Sequence, residues 1–199
     1  MNTPVSSANF ILASQSPRRR ELLLKLINDF SVVVPRVIEL QNHADGPAAL
    51  VCENARIKAS AVSTGLPDSW VLGADTIVAL EDEPFGKPSN LEEARHMLLR
   101  LSGRKHVVHT GLCLVHEDKK FEKFETVTSF VTFKPLSGQV IDQYFTEVNP
   151  LDKAGGYAIQ TRPDLIIESL EGSCSNVIGL PIEKLRAWLL ELQILPSLT

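Results

Sequence analysis

A run of serines and arginines near the amino terminus has the composition of an anion-binding turn. The segment 14–20 (SQSPRRR) follows a short apolar run, and its Ser-Pro step is typical of the start of a helix. Free backbone N–H groups and the helix dipole attract negative charge there, whereas cations are unfavourable without a negative partner. Successive helix positions diverge by about 100°, so Arg18 and Arg19 are the best candidates to face one ligand. A solvated basic patch or ion pairs with nearby carboxylates would explain the same pattern.

Two carboxylates lie where acid–base or metal chemistry is possible. Asp75 interrupts the apolar run 70–80 (WVLGADTIVAL), and an unpaired carboxylate buried in such a strand costs several kcal/mol. It must therefore meet a cation, a metal or hydrogen-bond donors, unless the strand breaks and exposes it. An exposed kink and a simple salt bridge both remain open. Glu39 follows the β-branched run 30–35 and is a plausible second carboxylate.

Two lysines complete the set of candidate ligand contacts. Lys58 lies in the middle of the alanine-rich stretch 47–63, and Lys87 lies in a stiff Gly-Lys-Pro loop just before a helix. Either lysine alone is typical of a solvated surface position. Together with the arginines they place cations at three sites in a chain that also carries an acid in an apolar strand. The chain contains neither the P-loop nor the dinucleotide-binding glycine pattern, which removes the main support for those readings.

Composition limits the class of protein. The 199 residues carry a net charge of −4 and are 44% hydrophobic, which favours one globular domain over 1–199 with a loose extension at 1–8. Nucleic-acid and membrane partners are disfavoured because no basic footprint or long apolar span is present. The three cysteines form no C-x-x-C pair and are typical of a reducing compartment. A cytoplasmic location is expected.

Apolar periodicity and capping signals predict the elements that must position these residues. Strands are expected at 10–13, 30–35, 70–80, 105–116, 121–133 and 165–168. Helices are expected at 17–27, 47–63, 136–148 and 181–192, with another that starts after Asn90 and stops at Gly103. Strands and helices alternate at both ends, with an antiparallel-looking pair between them. This order predicts a mixed α/β fold with one extended sheet flanked by helices.

The ensemble of motifs resembles the Maf family of nucleotide pyrophosphatases. The resemblance runs from about residue 10 to 190, in the family's order and spacing. It is carried by 12–19 (LASQSPRR), 53–62 (ENARIKASAV), 72–78 (LGADTIV), 86–112, 150–160 (PLDKAGGYAIQ) and 172–182 (GSCSNVIGLPI). It implies two lobes around a central cleft, as in inosine triphosphatase-like folds, and usually a homodimer. It also implies divalent-metal-dependent hydrolysis of nucleoside triphosphates to the monophosphate and pyrophosphate.

The same resemblance assigns roles to individual residues. It makes Asp75 the proton acceptor and Glu39 the second acid, both holding the metal ion, Mg²⁺ or Mn²⁺. It places phosphate contacts on Ser14, Ser16, Arg18, Arg19, Lys58 and Lys87. The positions that divide the family by substrate fall on Arg18, Thr76 and Gln160. That set resembles the branch that hydrolyses dTTP, UTP and modified pyrimidine nucleotides; the sister branch, which acts on 7-methyl-GTP, has tryptophan, glutamine and glutamate there.

Two further expectations follow. Adjacent residues of a strand point to opposite faces, so a site that uses both Asp75 and Thr76 predicts a kink between them. The main alternative to an enzyme is a nucleotide-binding regulator of cell division that does not turn its ligand over. A 7-methyl-GTP pyrophosphatase of the sister branch is the alternative within the same chemistry.

Overall fold

A seven-stranded mixed sheet organises the fold. The computed structural model describes residues 9–196, so the predicted extension at 1–8 lies outside the described residues. The strands are β1 (Phe10–Ala13), β2 (Ser31–Val33), β3 (Trp70–Leu80), β4 (Glu83–Phe85), β5 (Lys105–His116), β6 (Phe121–Phe133) and β7 (Ile167–Glu171). Their order is β2-β1-β3-β5-β6-β7, with β4 also paired to β3. Only the β1–β2 and β1–β3 pairings of the described strands are parallel.

Seven helices flank the sheet in the described part of the chain. They are α1 (Pro17–Leu24), α2 (Pro47–Ser63), α3 (Leu91–Leu101), α4 (Gly138–Glu147), α5 (Pro163–Ile166), α6 (Cys174–Ile178) and α7 (Ile182–Glu191), with a 3₁₀ turn at Ala154–Gly156. The predicted mixed α/β fold with one extended sheet is therefore confirmed. Between residues 9 and 196, no helix is long and apolar enough to cross a membrane.

Helix α2 lies unusually close to one face of the sheet. Gly73 of β3 and Gly111 of β5 face its backbone, and a Cβ atom at either position would lie 2.2 Å from a carbonyl oxygen of α2. Only glycine therefore permits this approach. The small Ala55 and Ala59 pack in the same layer, and both are fully buried. This contact holds the polar side chains of α2 against the middle of β3.

On the other face of the sheet, two apolar clusters occupy opposite ends of β3. One contains Trp70 and Leu72 together with side chains of α1 and α7. The other contains Val78 and Leu80 together with side chains of α3 and α4. These two clusters form the cores of the two predicted lobes, and the middle of β3 between them is left for polar residues.

The middle of β3 also has an unpaired edge. Strand β1 pairs with β3 only as far as Gly73, and β4 pairs with it only from Val78 onward. Within the described residues, positions 74–77 therefore have a strand partner on one side only, which is β5. A ligand that lies at this gap can therefore contact side chains on both faces of the sheet.

Three sequence-based expectations are corrected. Strand β3 stays paired with β5 in regular register through Asp75 and Thr76, so the predicted kink is wrong. The strand expected at 165–168 begins at Ile167, because Pro163 starts the short helix α5 before it. The first helix ends at Leu24 rather than 27.

Candidate active site

One cavity of about 870 Å³ opens beside the unpaired edge of β3. Its wall comes from the start of α1, the loop after β2, the middle of α2 and β3, and the loops at 84–87 and 152–160. All ten residues proposed from the sequence line it: Ser14, Ser16, Arg18, Arg19, Glu39, Lys58, Asp75, Thr76, Lys87 and Gln160. The structure thus brings the proposed residues together, and the role of each stays a prediction.

Two serine hydroxyls shape the turn that leads into α1. The backbone N–H of Ser16 donates to Ser14 Oγ at 3.1 Å, and the N–H of Arg19 donates to Ser16 Oγ at 3.4 Å. Ser16 is thus the N-cap of α1, as its sequence position predicts, and Pro17 takes the first helical position. The turn brings the arginines of the first helical turn to the mouth of the cavity.

Arg19 is the arginine that points into the protein. Its guanidinium donates to Gly179 O at 2.8 Å, Thr76 Oγ1 at 2.9 Å and Ser14 Oγ at 3.4 Å. Burial lowers the pKa of Arg19, and the negative charge of Asp75 opposes that shift. All three acceptors are uncharged oxygens, so these contacts orient the guanidinium without neutralising it. An anionic ligand in the cavity would supply the missing counter-charge.

Arg18 points across the cavity mouth instead. Its guanidinium donates to the Asp152 carboxylate at 2.7 Å and to the Asp152 carbonyl oxygen at 3.1 Å. Lys153 donates to the other carboxylate oxygen at 2.5 Å. Although burial raises the pKa of Asp152, the hydrogen bonds from Lys153 and Arg18 outweigh it, so the net pKa lies below the usual value. The ion-pair explanation left open for the basic run therefore holds for Arg18.

Lys58 joins the two carboxylates at the α2 side of the cavity. Its ammonium lies 2.8 Å from Asp75 Oδ1 and 2.7 Å from Glu39 Oε2. The Lys58 side chain is 8% exposed and that of Asp75 is 15% exposed, whereas that of Glu39 is 44% exposed. The carboxylate in the apolar strand is thus paired, as the cost of burying it alone requires. Two acids from distant parts of the chain share a single cation.

Asn54, one turn before Lys58 on α2, is a buried neighbour of this group. Its amide oxygen accepts from the backbone N–H of Leu40 at 2.8 Å. Its amide nitrogen donates to Leu40 O at 3.0 Å and to Asp75 Oδ2 at 3.2 Å. One side chain therefore contacts both the strand that carries Asp75 and the loop that carries Glu39.

Lys87 and Gln160 also line the cavity, and both are exposed. Their loops are held together where the N–H of Gly155 donates to Gly86 O at 3.0 Å. The Tyr144 hydroxyl donates to Ala158 O at 3.0 Å and accepts from Ala158 N at 2.9 Å. The backbone two residues before Gln160 is thus fixed, while its side chain is free to contact a ligand.

Sequence analysis gave no role to several polar residues that line this cavity, among them Asn54, Asp152 and Lys153. Asn54 lies in the ENARIKASAV motif, and Asp152 and Lys153 lie in the PLDKAGGYAIQ motif. The sequence of neither motif indicates that these residues line the site. That a buried amide lies beside two acids cannot be inferred from the periodicity of the sequence. The charged Asp152-Lys153 pair just before two consecutive glycines was the one available sign.

The donor set matches what a small divalent cation requires. Mg²⁺ keeps several waters and is held by one or two carboxylates together with substrate phosphates. Glu39 and Asp75 supply two carboxylates that already converge on one positive charge, the Lys58 ammonium. The described residues hold no group of three His, Cys, Asp or Glu side chains placed to bind a metal. The residues fit a cation that depends on phosphate and water for its remaining ligands.

Similarity to known proteins decides the family. The model of the Maf-like protein family matches residues 9–192. The chain belongs to the Maf-like family. Relatives named dTTP/UTP pyrophosphatase are 48%, 47% and 45% identical to it, from Symbiobacterium thermophilum, Akkermansia muciniphila and Myxococcus xanthus respectively. These alignments cover 86–87% of this chain and 86–90% of the relatives.

A solved structure supports the fold of this Maf-like chain independently. The Ham1 protein of Staphylococcus aureus superposes with a TM-score of 0.53, over 92% of this chain and 98% of that one. Since the two sequences are only 17% identical, the likeness concerns the fold alone. The likeness agrees with the expected mixed α/β fold, in which one extended sheet is flanked by helices.

Proposed function

We propose that this Maf-like protein hydrolyses dTTP and UTP to the nucleoside monophosphate and pyrophosphate, with a divalent metal ion. That it is a nucleoside triphosphate pyrophosphatase follows from relatives at 42–48% identity over most of both chains, which carry the name dTTP/UTP pyrophosphatase. The observation that carries the chemistry is the convergence of Asp75, Glu39 and Lys58 in a cavity that Arg18, Arg19 and Lys87 also line.

The charges of the cavity suit a triphosphate. A nucleoside triphosphate bears about four negative charges near neutral pH, and charge grows on the departing pyrophosphate in the transition state. Arg19 is held in place by neutral partners, so its charge is available to that phosphate chain. Fixed cations in a partly enclosed site stabilise developing charge without reorganising, which is the main source of rate in such transfers.

Asp75 is the proposed proton acceptor. Water adds to the α phosphorus, the bond from that phosphorus to the α–β bridging oxygen breaks, and pyrophosphate leaves. Asp75 takes the proton from the attacking water, and Lys58 orients its carboxylate through a 2.8 Å contact. Asp75 and Glu39 would hold a Mg²⁺ or Mn²⁺ ion, which would neutralise phosphate charge and lower the pKa of coordinated water.

Selection of the base is assigned to Gln160 and Arg18. Gln160 is exposed and presents one acceptor and two donors, a set able to pair with the edge of a pyrimidine. Arg18, held by Asp152, lines the same cavity. Action on modified pyrimidine nucleotides, a cytoplasmic location and a homodimer are further parts of this proposal, resting on the resemblance stated from the sequence.

The decisive experiment incubates the protein with UTP, dTTP, CTP and 7-methyl-GTP, each with Mg²⁺ or Mn²⁺, in ¹⁸O-labelled water. The proposal requires pyrophosphate release from UTP and dTTP, with the label in the monophosphate. Label in pyrophosphate or inorganic phosphate would place the attack on another phosphorus. Nucleotide binding without release would favour a regulator, and preference for 7-methyl-GTP would favour the sister activity.

A further inference from the structure

Asn54 makes more contacts in the site than a core residue needs. The residue is only 3% exposed, yet its amide lies at the cavity wall and not in the apolar layer around Ala55 and Ala59. Both backbone polar groups of Leu40 bond to this single amide, at 2.8 Å and 3.0 Å. The third bond, at 3.2 Å, goes to Asp75 Oδ2. Each of these hydrogen bonds of the Asn54 side chain thus goes to Asp75 or to the residue that follows Glu39.

These contacts control where Glu39 lies. Residues 34–46 form neither helix nor strand, so regular hydrogen bonding does not fix this segment. Bonds such as Gln41 Nε2 to Glu39 O and Asp45 N to His43 Nδ1 are local to the loop. Leu40 directly follows Glu39, and its paired backbone anchors the loop to α2. Fixing the peptide next to Glu39 limits the positions that its carboxylate can reach.

We infer that Asn54 is a positioning residue that couples the Glu39 loop to Asp75, so that both carboxylates are presented to the same cation. This inference rests on the proposed function, since it assigns the metal ion to those two acids. Asn54 acts through Glu39 and Asp75, because its hydrogen bonds go to Leu40, the residue after Glu39, and to the Asp75 carboxylate. The Lys58 ammonium lies between the two acids and contacts both.

The chemistry of the amide explains why asparagine suits this place. An amide offers an acceptor and two donors on one short side chain, as the three contacts require. Aspartate would keep the bond from Leu40 N–H but would turn both donors into acceptors, facing Leu40 O and Asp75. Serine lacks the reach to span the loop and the strand together. Each substitution frees the loop while changing few apolar contacts.

The test compares Asn54→Asp and Asn54→Ser with the wild type and with Glu53→Gln. Glu53 is the neighbouring residue on α2 and pairs with Arg56 outside the cavity, so it controls for a change on the same helix. Hydrogen exchange of segment 34–43 is measured without metal, and Mn²⁺ binding is measured by paramagnetic resonance without nucleotide. Pyrophosphate release from UTP is then followed against Mn²⁺ concentration.

Both Asn54 variants should exchange segment 34–43 faster and bind Mn²⁺ roughly 10- to 100-fold more weakly, the usual cost of losing a residue that orients a metal ligand. High Mn²⁺ should restore part of their turnover, and Glu53→Gln should match the wild type. Unchanged exchange and Mn²⁺ affinity, or unfolding of both variants, would overturn the inference. A wild type that binds Mn²⁺ but releases no pyrophosphate would refute the proposed function. The hydrogen-exchange and Mn²⁺-binding results would still test the positioning role of Asn54.

Discussion

Asp75 and Thr76 are consecutive residues of β3 whose side chains leave the sheet on opposite faces and line the same cavity. Asp75 meets Lys58 of α2, whereas Thr76 Oγ1 accepts from Arg19 of α1. No kink is needed, because the described strands leave the edge of β3 unpaired at this point. A ligand lying over that edge can contact the acids on one face and Arg19 on the other.

Replacing Asp75 by asparagine should leave the fold intact and lower pyrophosphate release from UTP by at least about 10²-fold, the lower range for a lost acid–base group. The amide keeps the shape but can no longer accept the proton. Stopped assays at saturating UTP and Mg²⁺ measure the effect, and circular dichroism checks the fold. Near-normal turnover would remove Asp75 from the proposed role.

Arg19 and Arg20 provide a matched pair on one helix. Arg19→Lys loses the geometry that bonds Gly179 O and Thr76 Oγ1 together, and hydrogen bonds to charged groups are worth about 1.5–3 kcal/mol. We expect kcat/KM for UTP to fall at least roughly tenfold, since 1.4 kcal/mol corresponds to a factor of ten. Arg20 is exposed, so Arg20→Lys should leave kcat/KM unchanged. Equal effects from the two variants would mean that the orientation of Arg19 is unimportant.

Elements with a strong local signal were predicted well from sequence. Helix α2 and strands β3, β5 and β6 begin and end where periodicity and turn residues predict. The short helix α5 was missed because four residues give no periodic pattern; Pro163 and the ion pair between Arg162 and Asp164 define it locally. The gap in the edge of β3 could not be predicted, since it depends on where β1 and β4 stop.

The sequence predicted which residues form the candidate site better than it predicted the contacts between them. A carboxylate in an apolar strand requires a partner, and Asp75 indeed has one in Lys58. The identity of the partner could not be read from the chain, because Lys58 also binds Glu39 from a loop without regular structure. The link between Arg18 and Asp152 spans 134 positions, and neither segment alone indicates the other.

The pairing of Asp152 predicts a dependence on pH. Its pKa in the folded protein lies below the ordinary 3.8, so the carboxylate contributes stability above that pH, and the contribution is lost as the pH falls through the lower folded value. Because its side chain is about half exposed, the contribution should stay below about 1 kcal/mol. A ¹³C NMR titration of Asp152 should give a midpoint below 3.8 that rises in Arg18→Gln. A midpoint unmoved by that substitution would mean that Arg18 does not stabilise the carboxylate.

Exchanging Arg18, Thr76 and Gln160 for tryptophan, glutamine and glutamate should shift substrate preference from UTP toward 7-methyl-GTP. Glutamate at 160 offers only acceptors, which suits the positively charged methylated base better than an amide does. Thr76→Gln also removes the hydroxyl that holds Arg19, so total activity should fall. The ratio of kcat/KM values for the two nucleotides is therefore the proper measurement. A ratio equal to that of the wild type would place base selection elsewhere in the cavity.

The close approach of α2 to the sheet should be both a stability determinant and a condition for activity. In Gly111→Ala the new methyl group would lie 2.2 Å from Val51 O, so α2 must move, and overpacking of this kind costs about 1–3 kcal/mol. The shift displaces Asn54 and Lys58 from Asp75, so UTP turnover should fall even well below the melting temperature. Gly65→Ala is the control, because its nearest neighbour is Val62 O at 3.8 Å. Urea unfolding and turnover at low temperature measure the two effects, and a destabilised Gly111→Ala with full activity would show that the spacing of α2 does not govern the site.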